Sequence, residues 1–310
     1  MAVETFHTLM SRNKRNSFLL IGFFLLFFVA IGMLIGAVWG GGDWTFSIAV
    51  AVIAAGIAFV LTLWSYFGGA SAVLSISKAR QIQKADDPQL FNVVEEMCIA
   101  GGIPMPKIYV IEDTAPNAFA TGRNPKHAVV AITTGLRQKL NRDELQGVMA
   151  HELSHIRNYD ILFAMLMAVM VGVLVMLCDV FLRSLWFGGG RRRRRDSRGG
   201  GGAQAILLIV AIVLAIIAPI LARIIHLAMS RQREYLADAS GVELTRNPEG
   251  LASALAKISN DPEVLEVANR ATAHLYVVHP IKKFEARAQS IFSTHPPIKE
   301  RIRRLLSLTH

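Results

Sequence analysis

Hydrophobic and polar positions fall into long blocks at the start of this chain and short periods in its middle. Ser17 to Trp39 is a run of 23 residues without a charge, and Trp44 to Phe67 is a run of 24. A helix needs roughly 20 apolar residues to cross the hydrocarbon core, so both runs are predicted to span a bilayer. Gly40-Gly41-Gly42-Asp43 joins them as a tight connection, with Trp39 and Trp44 placed where indoles favour the membrane interface. The first run is too long for the apolar core of a cleaved signal peptide, and no clear small-x-small cleavage site accompanies it. Two later apolar runs, Ile161 to Cys178 and Ala203 to Ala222, hold 18 and 20 residues and are also long enough to cross.

Between these blocks the pattern changes to that of a soluble α+β unit. Asp87-Pro88 is a cap followed by a first-turn proline. Leu90, Val93, Val94 and Met97 recur at helical spacing, and Gly101-Gly102 stops the helix. "KIYVIED" (Lys107 to Asp113), "NAFATG" (Asn117 to Gly122) and "HAVVAITTGL" (His127 to Leu136) read as three strands, with Gly122, Asn124 and Pro125 as turn residues. Asn141 and Glu144 form a capping-box signature for the helix that carries "VMAHELSHIRNYD". From Arg223 the pattern is helical and mixed: one long helix carries "RQREYLADASG", and a short amphipathic helix follows Pro296-Pro297. Four segments result. Residues 1–77 are a transmembrane hairpin, 78–160 the first part of a catalytic domain, 161–222 a second hydrophobic hairpin, and 223–310 the rest of the catalytic domain.

Composition agrees with this division. A chain of 310 residues that is 53% hydrophobic, with mean hydropathy +0.40, is a membrane protein with a sizeable water-soluble part. Two cysteines, Cys98 and Cys178, supply neither a disulfide framework nor a thiolate metal site, which fits a cytoplasm-facing catalytic part. The net charge of +10 raises nucleic-acid binding as one reading. The basic residues cluster beside apolar runs, however, and form no aromatic-interleaved basic face, so attraction to anionic lipid is the better account and no nucleic-acid partner is expected. Arg12, Lys14 and Arg15 precede the first run, Lys78, Arg80 and Lys84 follow the second, and the connection between them holds no Lys or Arg. The positive-inside bias therefore places both flanks in the cytoplasm. The same rule conflicts with the later loop. If all four runs cross, residues 183–202, with seven arginines, lie on the far side. A re-entrant hairpin would avoid that conflict, but the length of the runs favours crossing.

The candidate chemistry sits at the edge of the third run. His151 and His155 are four residues apart and share one helical face, a spacing that lets two imidazoles bind one tetrahedral Zn²⁺. Glu152, beside the first of them, is placed to take a proton from activated water without itself being a ligand. Leu145, Val148, Met149, Leu153 and Ile156 are available to anchor the opposite face. A catalytic zinc usually takes three protein ligands and leaves a fourth position open. "REYLAD" offers Glu234 as the third, with Asp238 one turn on to accept the outer N–H of a ligating histidine. Read alone, that stretch is a solvated helix face of mixed charge; the histidine pair turns the reading toward a metal.

Four stretches together carry a family resemblance: "NAFATG", "TTGLRQKLNRDELQGVMAHELSHIRNYD", "REYLADASG" and "STHPPIKERI". In this order, behind paired spans, they resemble the HtpX-type membrane metalloproteases, gluzincins related to the CAAX prenyl protease. The resemblance covers nearly the whole chain except the arginine loop, the termini and parts of 243–290. It implies a zincin-like fold with a small edge-stranded sheet, active-site helices and one zinc ion per chain. It implies that Asn117 grips the backbone of a polypeptide substrate, that His295 stabilises the oxyanion of the tetrahedral intermediate, and that Arg301 acts at the substrate or positions other groups. Without the resemblance, Asn117 is a turn residue, His295 a loop residue and Arg301 a solvated helix face. The resulting expectation is a zinc-dependent integral-membrane endopeptidase of a bacterial inner membrane, its catalytic domain in the cytoplasm, acting on misfolded membrane proteins. A dedicated processing protease of the CAAX type is the near alternative. A non-catalytic scaffold with a structural zinc is the distant one, and Glu152 argues against it, because a structural site needs no base.

Overall fold

The structure is a computed structural model that describes residues 6–40, 43–170, 231–261 and 296–308. The arginine-rich loop, the fourth apolar run, the third beyond Met170, and His274, His279 and His295 lie outside the described residues.

The first two apolar runs form α1 (Phe6–Trp39) and α2 (Trp44–Ile76). Both contain stretches long and apolar enough to cross a membrane. Asp43 starts α2 by accepting the Thr45 N–H at 2.8 Å. The two helices run antiparallel with their backbones nearly touching: a Cβ on Gly36 would stand 2.4 Å from the Ser47 Cα. In lipid there is little hydrophobic drive between helices, so such close backbone approach supplies the contact. Phe18, Leu19, Val52, Val60 and Phe67 are exposed, an apolar exterior suited to lipid. Leu20, Phe24 and Phe28 face inward onto Leu162, Phe163 and Leu166 of α6 (Asp160–Met170), the described start of the third run.

The water-soluble part is built on a four-stranded sheet of β1 (Arg80–Gln81), β2 (Lys107–Ile111), β3 (Ala118–Gly122) and β4 (Ala128–Thr133), in the order β1-β2-β4-β3. β2 and β4 are parallel, while β3 lies antiparallel at one edge. β4 ends earlier than its sequence predicts. The Thr133 hydroxyl accepts the Leu136 N–H at 3.2 Å, and this cap turns "TGL" into the helix α4 (Thr134–Lys139).

α3 (Pro88–Gly101) begins at its predicted cap, Asp87, and α5 (Arg142–Arg157) carries the histidine pair. The capping box of α5 is complete: Asn141 Oδ1 accepts the Glu144 N–H, and Glu144 Oε2 accepts the Asn141 N–H, each at 2.9 Å. Glu144 also holds Ser253 at 2.6 Å and Lys257 at 2.7 Å, both on α8 (Pro248–Asn260), so the cap joins two helices. Leu145, Val148, Met149, Leu153 and Ile156 of α5 are wholly buried in the core that α5 shares with α3, β3 and α8. At about 1.5–3 kcal/mol for each fully buried aliphatic side chain, this face fixes α5 and leaves its polar stripe for chemistry. α7 (Arg231–Thr245) and α9 (Ile298–Leu306) close over that stripe.

Candidate metal centre

α5 and α7 converge on one point. His151 Nε2 and His155 Nε2 face each other at 3.3 Å. The two oxygens of Glu234, from α7, each approach one of these nitrogens at 3.7 Å. One ligand atom from each of the three residues lies within 4.8 Å of the others.

The outer nitrogens explain why the inner ones face each other. His151 Nδ1 stands 3.0 Å from Asp238 Oδ1, and His155 Nδ1 stands 3.1 Å from Asp160 Oδ2. An ionised carboxylate can only accept, so each Nδ1 donates, and Nε2 of each neutral imidazole is then a lone pair. Two lone pairs and a carboxylate pointed at one another repel unless a cation lies among them, a proton on His155 in the metal-free protein or a metal ion in its place. This donor set of two imidazoles and one carboxylate fits a metal ion with an open coordination position.

Asp238 and Arg301 form the floor of the site. Arg301, on α9, is completely buried; its Nε stands 2.9 Å from Asp238 Oδ2 and its Nη2 2.6 Å from Oδ1. Its Nη1 lies 3.6 Å from Glu234 Oε2, so one guanidinium braces two carboxylates. Read alone, the sequence set Arg301 on a solvated face, and the resemblance set it at the substrate or in the positioning of other groups. The structure places it behind His151, away from solvent and on Asp238.

Charge states follow from this packing. Burial would push the Asp238 carboxyl up, but the Arg301 guanidinium and the His151 hydrogen bond together hold it below the usual carboxylate range. Burial opposes charge on His155, yet the hydrogen bond to Asp160 and the charges of Glu234, Asp160 and Glu152 raise it from 6.5 to about 9. Burial dominates at Glu152 and raises its carboxyl, against the lowering influence of the two histidines.

Glu152 also lies near the sheet, where the Ala120 N–H of β3 favours its charged form. The Thr133 N–H donates to the Asn117 carbonyl at 2.9 Å, and the Asn117 N–H to the Thr133 hydroxyl at 2.9 Å. By the two-residue alternation of an antiparallel ladder, Ala118 and Ala120 therefore direct their main-chain groups away from β4, toward α5. Asn117 itself is buried, and its Oδ1 accepts the Ala118 N–H at 3.0 Å.

His151, Glu152, His155, Glu234, Asp238 and Arg301 are thus brought together, Asn117 stands at the start of the neighbouring strand, and His295 lies outside the described residues. Sequence reading missed Asp160. It stood in plain view at the end of "NYD", but Tyr159 adopts φ 60°, which breaks the helical register by which a side chain five residues on would be placed.

Residues 84–309 match the family model of peptidase family M48. The chain belongs to peptidase family M48. A protease HtpX homolog of Caldanaerobacter subterraneus subsp. tengcongensis is 45% identical over 314 residues, covering 100% of both chains. Another, of Lactobacillus helveticus, is 42% identical over 296 residues, covering 95% of this chain and 97% of the relative. The solved structure of S. mikatae Ste24p covers 89% of this chain and 62% of its own, less than two thirds, with a TM-score of 0.49 at 19% identity, a likeness too loose to transfer any geometry. As an M48 peptidase with two membrane-crossing candidates among its described helices, the protein is a membrane-bound metalloprotease acting on polypeptides, and the family implies a metal cofactor.

Proposed function

We propose that the metal is zinc, held by His151, His155 and Glu234, and that the protein hydrolyses peptide bonds of misfolded membrane proteins at the cytoplasmic face of a bacterial inner membrane. The observation that carries the reading is the convergence of two histidine lone pairs on one carboxylate, each imidazole anchored from behind by an aspartate. When bound, zinc supplies Lewis acidity toward water and a peptide carbonyl.

The chain's own residues do the rest. Glu152 takes the proton of the attacking water and delivers it to the departing amine. A carboxyl raised by burial is matched to that work, because its conjugate base holds the proton more strongly. Asp238 and Asp160 fix the tautomers of His151 and His155. Arg301 keeps Asp238 ionised and braces Glu234, so it serves as a positioning residue. The outward main-chain groups of β3, with Asn117 at its start, are placed to align an extended substrate as an added strand. His295 follows the family as a donor to the oxyanion. α6 begins at Asp160, directly after the metal-binding helix, so the site lies at the membrane end of the catalytic part and meets loops and termini that emerge from lipid.

Glu152→Gln tests the assignment. It should keep zinc stoichiometry and lose cleavage of a membrane-protein substrate by several orders of magnitude, since Glu152 is a base and not a ligand. Comparison of membranes carrying this variant with wild-type membranes should reveal trapped, uncleaved membrane proteins; a trapped set of soluble proteins would redirect the substrate class.

A further inference from the structure

The membrane anchor reaches the metal centre. Asn13, buried in α1 on the cytoplasmic flank of the first run, donates its Nδ2 to the Asn158 carbonyl at 2.9 Å and to Asp160 Oδ1 at 2.6 Å. The other oxygen of Asp160 holds His155 Nδ1 at 3.1 Å. The next residue, Lys14, sits 4.2 Å over the ring of Tyr159. α1 therefore grips both residues of the turn between α5 and α6, and the first residue of α6.

That turn needs holding. Tyr159 is in the left-handed region at φ 60°, a conformation a bulky residue keeps only where its surroundings impose it. The turn swings Asp160 back beneath His155, which continued helix would not do. The side chain of Asn158 is buried, finds no hydrogen-bond partner among the described residues, and does not secure the turn from within. From α7, the Arg233 Nη1 also reaches Asp160 Oδ1, at 3.6 Å, so α1 and α7 hold the carboxylate from two sides.

We infer that Asn13 is a positioning residue for the metal centre, through which the membrane-anchor helix sets the orientation of Asp160 and thereby of His155. The inference rests on His155 being a metal ligand. It means that seating of α1 against the turn and assembly of the hydrolytic site are one event, so an anchor displaced from its place leaves a poorly loaded enzyme.

Zinc affinity of the full-length protein in detergent, measured by competition with a chromophoric chelator, tests this. Asn13→Leu and Asp160→Asn should each weaken zinc by about 10-fold, as loss of an orienting contact does. The double variant should bind no more weakly than Asp160→Asn alone, because Asn13 acts through Asp160. Asn13→Ser, which shortens the donor, carries the same expectation where Asn13→Leu does not fold. Unchanged zinc affinity with a lowered melting temperature of the metal-free protein would reduce Asn13 to a packing role, and losses that multiply in the double variant would likewise overturn the inference. Wild-type protein that binds no zinc would instead refute the metal reading beneath it.

Discussion

His155 shows how a single side chain ties metal to pH. In the metal-free protein its folded pKa is about 9 against 6.5 for the unstructured side chain. A raised folded pKa adds stability that is fully present below about 6.5 and is lost as pH rises through about 9. Zinc needs the same Nε2 as a lone pair, so at low pH it must displace the proton that stabilises the metal-free fold. The stabilisation added by zinc at fixed free concentration should therefore be smallest below about 6.5 and should widen toward about 9. Melting temperatures with and without zinc across that range check it; a gap that is constant or narrows with pH would contradict the role of His155 as a ligand. Asp238 does not reverse the sign, because Arg301 holds its carboxyl low and it stays ionised throughout.

At the scale of elements, α5 is held at one point by backbone contact. A Cβ on Gly147 would meet the Leu251 N at 2.7 Å and its Cα at 2.8 Å, so α8 lies directly on α5 there. Gly147→Val should lower the stability of the metal-free protein by about 1–3 kcal/mol, the range for overpacking a filled interior. Because the shift displaces α5 about one turn from His151 and about two from His155, zinc affinity should fall with it. Gly56 is the control, since nothing lies within 4 Å of a Cβ there. Gly56→Ala should be neutral or mildly stabilising through its better helix propensity. Urea unfolding of the full-length protein in detergent and zinc titration read both changes, and a Gly147→Val protein as stable as wild type would show that α8 can slide on α5 without cost.

Across the whole molecule, the charge pattern and the helical hairpin make a joint statement about orientation. The turn at Asp43 lies at one end of α1 and α2; Lys78 and Lys84 lie at the other, with the catalytic part. If the basic flanks lie in the cytoplasm, as proposed, Asp43 faces the opposite compartment. In a Cys98→Ser, Cys178→Ser background, Asp43→Cys should react with a membrane-impermeant thiol reagent in intact cells. Lys84→Cys should react only after the cytoplasmic face is opened. The reverse pattern would place the hydrolytic site outside the cytoplasm and overturn the proposed substrates.

Local chemistry in the sequence determined the elements that local physics controls. The uncharged runs dictated α1 and α2, because a bilayer-length apolar block has few alternatives. Asp87-Pro88 and the Asn141–Glu144 box set helix starts because a cap is satisfied within four residues. The four-residue spacing of His151 and His155 placed two ligands on one face for the same reason. What only the tertiary structure decided are relations between distant parts of the chain. No periodicity links Arg301 to Asp238 or Asn13 to Asp160; each pair is joined by packing, and burial then makes the pairing obligatory because an unpartnered buried charge is costly. The end of β4 was decided partly in the same way, because the Thr133 hydroxyl that caps α4 is also held by the Asn117 N–H at 2.9 Å and the Ala115 carbonyl at 2.7 Å. Spacing revealed which residues can meet a metal and offered Asp238 behind one of them, and only the fold revealed Asp160 behind the other and Arg301 beneath Asp238.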